Sequence, residues 1–597
     1  MATISHMPGQ PSHSSIGPLL RLAFYGLAVS LALIHVFITF RGLNSADGME
    51  QAQVAREMAR GHFFQTKVIR PYAWARLIDA GKDPLPAAMP DITQAPLQPL
   101  LWAPIFKLLD RHQIYAPGKT SSIYLLDRAI ACIGVTGFLL TLLWTHGVAR
   151  RLFDESVAGV TVLALVFCEP LWELSVSGSP VALLLPLFAL AFRLYVSAVQ
   201  GGQGSTPRLL ALGLVCALMV LTQWMAVWLV LGLILAVAMG LPGRRWQAAL
   251  VAALPAAALA LWGAWTMQRC GDPLGGAKTL FQAQLLGGDA QALQRQFSVA
   301  MPPVAFDDLL RKLGLNWKEQ FGSLYAHLGY VLPALFFLAA LLHRFRRPET
   351  QAIRFGLGLV FLCTLIGMGL LGLPDGAEDD ATLYPVLIPA MTAFGAAMMA
   401  LLWTRLQPAG GQLWSVRGYA VIAVAVSALP MLVQMPTHLK MGLTMAGRFF
   451  PHWPPYVPER VAVVRKLLEP GEVVFADAPW FVAWYADTPA VWLPNKRSDF
   501  TLMKDKLEAR EAKVAGVVVT PVSARVNYLG DAFNGSYREW PDLIFRGPMI
   551  AFDKEFLPRP DFPYNIAIPL LAVPVGEKES LSLLMTFYTD KVRTPKD

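Results

Sequence analysis

Apolar residues in this chain fall in long unbroken runs joined by short polar loops, and the length of those runs sets the fold class. Crossing about 30 Å of hydrocarbon takes roughly 20 helical residues, and about eleven runs qualify, singly or as closely joined pairs. They start near Leu19, Ile123, Val157, Val181, Leu209, Met225, Gln247, Gly329, Ile353, Thr382 and Tyr419. Leu209 to Gly240 is one apolar stretch, too long for a single span, so "LTQW" at Leu221 to Trp224 is read as the hairpin between two short helices. The first run, Leu19 to Phe40, is too long for a signal-peptide core and lacks a small-x-small cleavage site, which makes it a retained first helix. The pattern predicts a polytopic α-helical membrane protein.

Arginine orients the bundle. With the N-terminus cytoplasmic, the short loops on that side carry Arg150 and Arg151, Arg208, Arg244 and Arg245, Arg344 with Arg346 and Arg347, then Arg405 and Arg417. The short loops opposite, "SVSGS" and "PDGAEDD", have no Lys or Arg. An odd number of spans sends the C-terminus outside a plasma (inner) membrane. Three long segments then share the outer face: 41–122, 269–328 and the tail beyond Pro436. The expected organisation is a disordered cytoplasmic segment 1–18, a transmembrane domain 19–436 and an extracytoplasmic α/β domain 437–597. In the tail, "EVVFAD" (Glu472 to Asp477) and "VAGVVVT" (Val514 to Thr520) read as strands, and "SDFTLMKDKLEAREAK" between them as a helix.

Composition agrees. The chain is 55% hydrophobic and 15% charged with a mean hydropathy of +0.45, more apolar matter than a soluble globule of 597 residues can bury. The net charge of +9 comes mostly from arginines at the ends of apolar runs, so it orients helices and does not indicate nucleic acid. The five cysteines are scattered with no CxxC pair, which excludes a disulfide framework or a cysteine zinc site as a sequence-level expectation. No GxGxxG, P-loop or GxSxG is present, against a nucleotide-driven pump or an α/β hydrolase.

Directly after the first span stands "SADGMEQAQVAREMARGHFF", Ser45 to Phe64. On a helical wheel Met49, Ala52, Val54, Ala55, Met58 and Ala59 fall on one side, and Glu50, Gln53, Arg56, Glu57 and Arg60 on the other. Such a helix lies along a membrane surface and does not cross it. A second surface helix follows at Gln94 to Arg111, "QAPLQPLLWAPIFKLLDR".

The order of these pieces is specific. A first span, an acid opening a surface helix with "AREMARG", a Pro-rich "PLQPLLWAP" helix, then "DRAIACIGVTGFLLTLLW" resembles the GT-C family of polyprenyl-phosphate-sugar glycosyltransferases. The branch is that of bacterial protein O-mannosyltransferases and lipid A aminoarabinose transferases, and the likeness covers Leu19 to Trp403. It implies a GT-C-like membrane domain acting on a polyprenyl-phosphate sugar donor and a glycan, lipid or protein acceptor, with membrane lipids around it and no nucleic acid. It also implies that Asp47 is the catalytic base, favoured as a carboxylate by its place at a helix N-terminus. The family's second acid is Gly48 here, and Glu50 one turn on is its substitute.

Cationic side chains for the leaving phosphate are Arg128, at the outer end of the second span, and Lys67 and Arg70; the family's basic residue before the Pro-rich helix is Gln94 here. Glu173, with Glu169 nearby, is expected to face a wet substrate cavity, since an acid at membrane depth is costly. Tyr384, in "ATLYPVLIPAM", belongs to the same cavity, with Thr382 where the family has arginine. Asp379 and Asp380 either bind a divalent cation, the one cofactor considered, or simply charge a helix N-terminus. His62, His327 and His438 are isolated and read as interfacial side chains, not metal ligands. The aromatic segment Ala476 to Pro494 is read as packing in preference to a sugar platform. Two alternatives stand beside the transferase: a lipid or glycan transporter, which calls for paired interrupted helices, and an inactive glycan-binding relative, given Gly48, Gln94 and Thr382.

Overall fold

A computed structural model describes residues 16–82, 84–109, 123–201, 206–241, 246–278, 293–297, 305–372, 382–406, 418–443, 458–520, 522–523, 535, 537–550, 562–574 and 581–595. The triplet Glu378, Asp379 and Asp380 lies outside them.

Each of the eleven apolar runs is helical. Among the described residues, seven helices are long and apolar enough to span a membrane: α1 with its continuation (Leu22–Thr39), α5 (Leu125–Leu152), α8 (Pro180–Gln200), α11 (Gln247–Cys270), and the helices Pro348–Leu371, Tyr384–Leu406 and Gly418–Lys440. The third run is α6 (Glu155–Val166) and α7 (Glu169–Ser177), bent by 60° at Phe167 and Cys168. Pro170 in the first turn of α7 lacks the N–H that a continuous helix would need there. The remaining runs are shorter: α9 (Thr206–Thr222), α10 (Val227–Gly240) and the helix Leu332–Leu342. The α9–α10 break falls within "LTQW", where Gln223 is extended (φ −156°, ψ 133°). The last helix continues through Pro436 to Leu443, beyond the boundary expected at 436. α1 itself ends in a π-helical stretch, Ile34–Thr39.

The first loop holds α2 (Ala46–Ala59), β1 (Gln65–Thr66), β2 (Val68–Ile69), α3 (Pro71–Asp79), β3 (Met89–Pro90) and α4 (Leu97–Leu109). The tail forms the rest of a six-stranded sheet in the order β2-β5-β4-β6-β8-β7, with β4 at Val473–Ala476, β5 at Ala490–Trp492, β6 at Val514–Val519, β7 at Ile566–Pro574 and β8 at Leu581–Thr589. β2, β5, β4 and β6 are parallel, and β8 and β7 follow antiparallel. β4 and β6 are buried at every position, as strands covered on both faces must be. Their alternate residues serve two cores. Val474, Ala476 and Val518 join Met49, Ala52 and Ala55 of α2, while Val473, Phe475 and Val517 join Phe500 and Trp540.

The sheet is therefore not a separate body. Its edge strand β2 comes from the first loop, pairing Val68 with Ala490 and Ile69 with Val491. This fixes loop and tail on one face of the helix bundle. α2 is consequently enclosed on both sides: its polar residues Glu50, Gln53, Arg56 and Glu57 are buried under protein, where the wheel alone placed them toward water. α4 keeps the surface character expected, with Leu100, Leu101 and Leu108 exposed and Trp102 and Phe106 buried.

Candidate active site

The N-terminus of α2 sets the site. Ser45 is the N-cap and its hydroxyl accepts from the Gly48 N–H at 3.0 Å, so Asp47 is not needed for capping and its side chain stays available. Gly48 explains why no second acid stands beside it. A Cβ there would lie 2.7 Å from the carbonyl oxygen of Gly178, the left-handed residue (φ +81°) that ends α7. The backbones touch, and a side chain has no room.

Glu50 takes the inward position one turn later. It is 1% exposed and forms an ion pair with Arg70, the residue preceding α3. Gln94 bridges the two acids, its Nε2 donating to Glu50 Oε2 and, at 3.3 Å, to Asp47 Oδ1, while its Oε1 accepts from Gln51 Nε2 at 3.1 Å. An uncharged amide at the expected basic position thus ties α2 to the start of α4. Arg70 is held in turn by Gln294 Oε1 at 2.6 Å, which brings the second long loop to the site.

Asp91 completes the group and was not among the sequence candidates. Its Oδ1 accepts from the N–H groups of Thr93 (2.8 Å) and Gln94 (3.1 Å), an Asx turn that "PDIT" signals locally. The Trp224 indole at the α9–α10 break donates to Thr93 O at 3.0 Å and anchors this turn to the bundle. Burial pushes the Glu50 carboxyl up to about 7, with Arg70 opposing and Asp91 and Asp47 reinforcing the rise. Asp91 is likewise raised by burial, against Arg70 and its two N–H donors. Buried acceptor atoms without a hydrogen-bond partner collect here: Glu50 Oε1, Gln51 Oε1, Asp91 Oδ2 and Gln98 Oε1. Such atoms cost roughly 1–3 kcal/mol each unless a ligand or water supplies a donor.

The other candidates divide. Lys67 is not part of this group; it pairs with Glu57 (3.0 Å) and Asp487 in a cluster at the far end of α2. Arg128 stacks its guanidinium over Phe37 at 5.2 Å from the ring centre and leaves its buried Nε without a hydrogen-bond partner. Tyr384 is buried and its hydroxyl donates to Gln320 Oε1, so it anchors the helix Phe306–Gly322 instead of lining an open cavity. Glu173 is exposed on α7, next to Glu169 and His438. His438 Nδ1 lies 3.5 Å from Glu169 Oε1. Asp127, overlooked beside Arg128, accepts from Trp484 Nε1 (2.8 Å) and Tyr485 OH (2.7 Å), which settles the aromatic tail segment as packing.

With this geometry in hand, likeness to solved structures decides the fold. The archaeal oligosaccharyltransferase AglB from Archaeoglobus fulgidus, solved with an inhibitory peptide and a dolichol-phosphate, aligns with a TM-score of 0.52 at 12% identity, over 88% of this chain and 72% of its own. The chain has the GT-C fold. ArnT from Cupriavidus metallidurans is similar at a TM-score of 0.49 and 14% identity, over 86% of this chain and 95% of its own. No protein-family model and no curated protein matches the sequence.

Proposed function

We propose that this protein is a membrane glycosyltransferase that moves a sugar from a polyprenyl-phosphate donor to a hydroxyl or amine, with Asp47 as the base. The observation that carries the reading is the Asp47–Gln94–Glu50–Arg70 group at the N-terminus of α2 in a GT-C fold, beside buried acceptors that lack donors. The structure of AglB holds a dolichol-phosphate, a lipid of the proposed donor class.

The transfer is a single displacement. The acceptor heteroatom forms a bond to the anomeric carbon as the bond from that carbon to the phosphate oxygen breaks; the electron pair leaves on the polyprenyl phosphate, and the acceptor proton passes to Asp47. One displacement inverts the anomeric centre. Glu50, held by Arg70, keeps Gln94 oriented toward Asp47, and Arg128 is the cation for the departing phosphate.

Purified full-length protein in lipid nanodiscs, given radiolabelled polyprenyl-phosphate sugars and envelope extracts as acceptors, tests this reading. Label should appear in an acceptor with wild type and not with Asp47→Asn. Equal labelling by both would rule out Asp47 as base, and lipid-linked sugar crossing proteoliposomes without any product would replace the transferase by a transporter.

A further inference from the structure

A second polar cluster lies inside the bundle, independent of the proposed transfer reaction. Glu169 opens α7 at the 60° break, Glu173 follows one turn later on the same face, and His438 reaches in from the last helix. One ligand atom from each of these three lies within 4.8 Å of the others, which among the described residues occurs nowhere else for three His, Cys, Asp or Glu side chains. His35, in the π-helical end of the first span, adds a fourth donor with its Nε2 at 3.4 Å from Glu169 Oε1.

We propose that Glu169, Glu173, His438 and His35 form a site for a divalent transition-metal ion, with Zn²⁺ chemistry fitting best. Distance is the first reason. Glu169 Oε1 sits 3.4 Å from one imidazole nitrogen and 3.5 Å from the other. That is long for an N–H···O bond of about 2.7–3.2 Å. It matches the edge of a tetrahedron about an ion with bonds of about 2.0–2.1 Å, for which two donors are about 3.3–3.4 Å apart.

Tautomer is the second. His35 Nδ1 lies 2.9 Å from the Leu31 carbonyl oxygen, which only an N–H can satisfy, so in the neutral ring Nε2 carries the lone pair. That lone pair faces a carboxylate, an arrangement that calls for a cation between them. A backbone carbonyl on the other ring nitrogen is how metal-bound histidines are oriented. The ring is also fixed by stacking on Trp172, 4.7 Å between centres and 11° between planes. π-helical turns re-aim side chains in this way at functional positions.

Glu169 supplies the third. It is 1% exposed and its Oε2 has no hydrogen-bond partner, so the most buried carboxylate of the group has an unused acceptor. Two acids one turn apart repel each other, and a dication removes the conflict. Two imidazoles and two carboxylates are a borderline donor set that suits Zn²⁺ better than Ca²⁺ or Mg²⁺. The ion would pin the first span, the broken third run and the last helix together, and it would fasten the start of α7, whose far end, Gly178, is the residue against which Gly48 packs.

The test uses the full chain in detergent, stripped with chelator, reloaded with Zn²⁺ and desalted, with metal measured by mass spectrometry. Wild type should keep about one equivalent, and the loaded protein should melt at a higher temperature than the stripped one. Glu169→Gln and His438→Gln should lose both the ion and the thermal gain, while Asp47→Asn keeps both. Glu173→Gln, at an exposed position that does not threaten folding, should weaken retention. X-ray absorption of the loaded protein should report only nitrogen and oxygen neighbours. Failure of wild type to hold Zn²⁺, or equal retention by Glu169→Gln, Glu173→Gln and His438→Gln, would overturn the site and leave a shared proton between histidine and carboxylate.

Discussion

α2 carries a charged cluster at each end, and the two differ in sign and in completeness. At its N-terminus three acids, Asp47, Glu50 and Asp91, surround one cation, Arg70, and buried carboxylate oxygens lack partners. At its C-terminus Arg56, Arg60, Lys67 and Arg465 converge on Asp487, with Glu57 shared among Arg60, Lys67 and His62. Arg56 also donates to the carbonyls of Ala483 (2.7 Å) and Trp484 (2.6 Å) and lies 4.6 Å from the Trp484 ring centre. Burial acts against Asp487 as a carboxylate, yet Arg56, Arg60 and Lys67 hold it well below its usual range. Burial prevails at Glu50 and raises it. One helix therefore has cationic excess around two paired carboxylates at one end, a latch, and acidic excess with unpartnered carboxylate oxygens at the other. Surplus acid with unfilled acceptors suits a site that waits for a substrate; carboxylates enclosed by cations from both segments suit a joint between the first loop and the tail.

The largest effect on stability is expected at the latch. Asp487→Ala leaves the buried Arg56 without its carboxylate partner and Lys67 with Glu57 alone, and breaking a buried pair costs about 3–5 kcal/mol. A melting curve in detergent should shift strongly, and proteolysis should reach the first loop and the tail together. An unchanged curve would remove the distinction between the two ends. Gly48→Ala comes next. Its Cβ would sit 2.7 Å from Gly178 O, a backbone atom that cannot move aside, so the α2–α7 contact should lose about 1–3 kcal/mol and transfer should fall with it.

pH separates the clusters more finely. Glu50 binds its proton more tightly folded than unfolded, from 4.5 to about 7, so its contribution is complete below the unfolded value and is lost as pH rises through 7. Asp487, shifted the other way, contributes above its unfolded value and loses that only in acid. Melting temperature should therefore decline between about pH 5 and 8 in wild type and decline less steeply in Glu50→Gln, with Asp487 silent in that window. The smallest effect is expected for Lys67→Ala: about 1 kcal/mol of stability, with donor KM unchanged, because its ammonium serves the latch and not the phosphate.

Much of the bundle was legible because membrane spans are written as local runs. So were α2 and α4, since caps, wheels and short motifs act within a few residues. What escaped depends on distant pairs. β2 is two residues long and has no period to read, yet it completes a sheet whose other strands begin at Val473. Asp487 reaches Arg60 across 427 positions, and Glu169 meets His35 across 134. The wheel found α2's polar face correctly but placed it toward water, because nothing in a single helix says that another part of the chain will cover it. Gln94, noted as a departure, proved to be the bridge between the acids, a role that only the geometry assigns.

The most direct measurement is steady-state transfer by Asp47→Asn beside wild type, with donor affinity and melting temperature taken on the same preparations. With Asp47 as base, kcat should fall by about 10²–10⁴ with donor binding and melting nearly unchanged, since Ser45 still caps the helix and only the proton acceptor is gone. Turnover within a few-fold of wild type would contradict it.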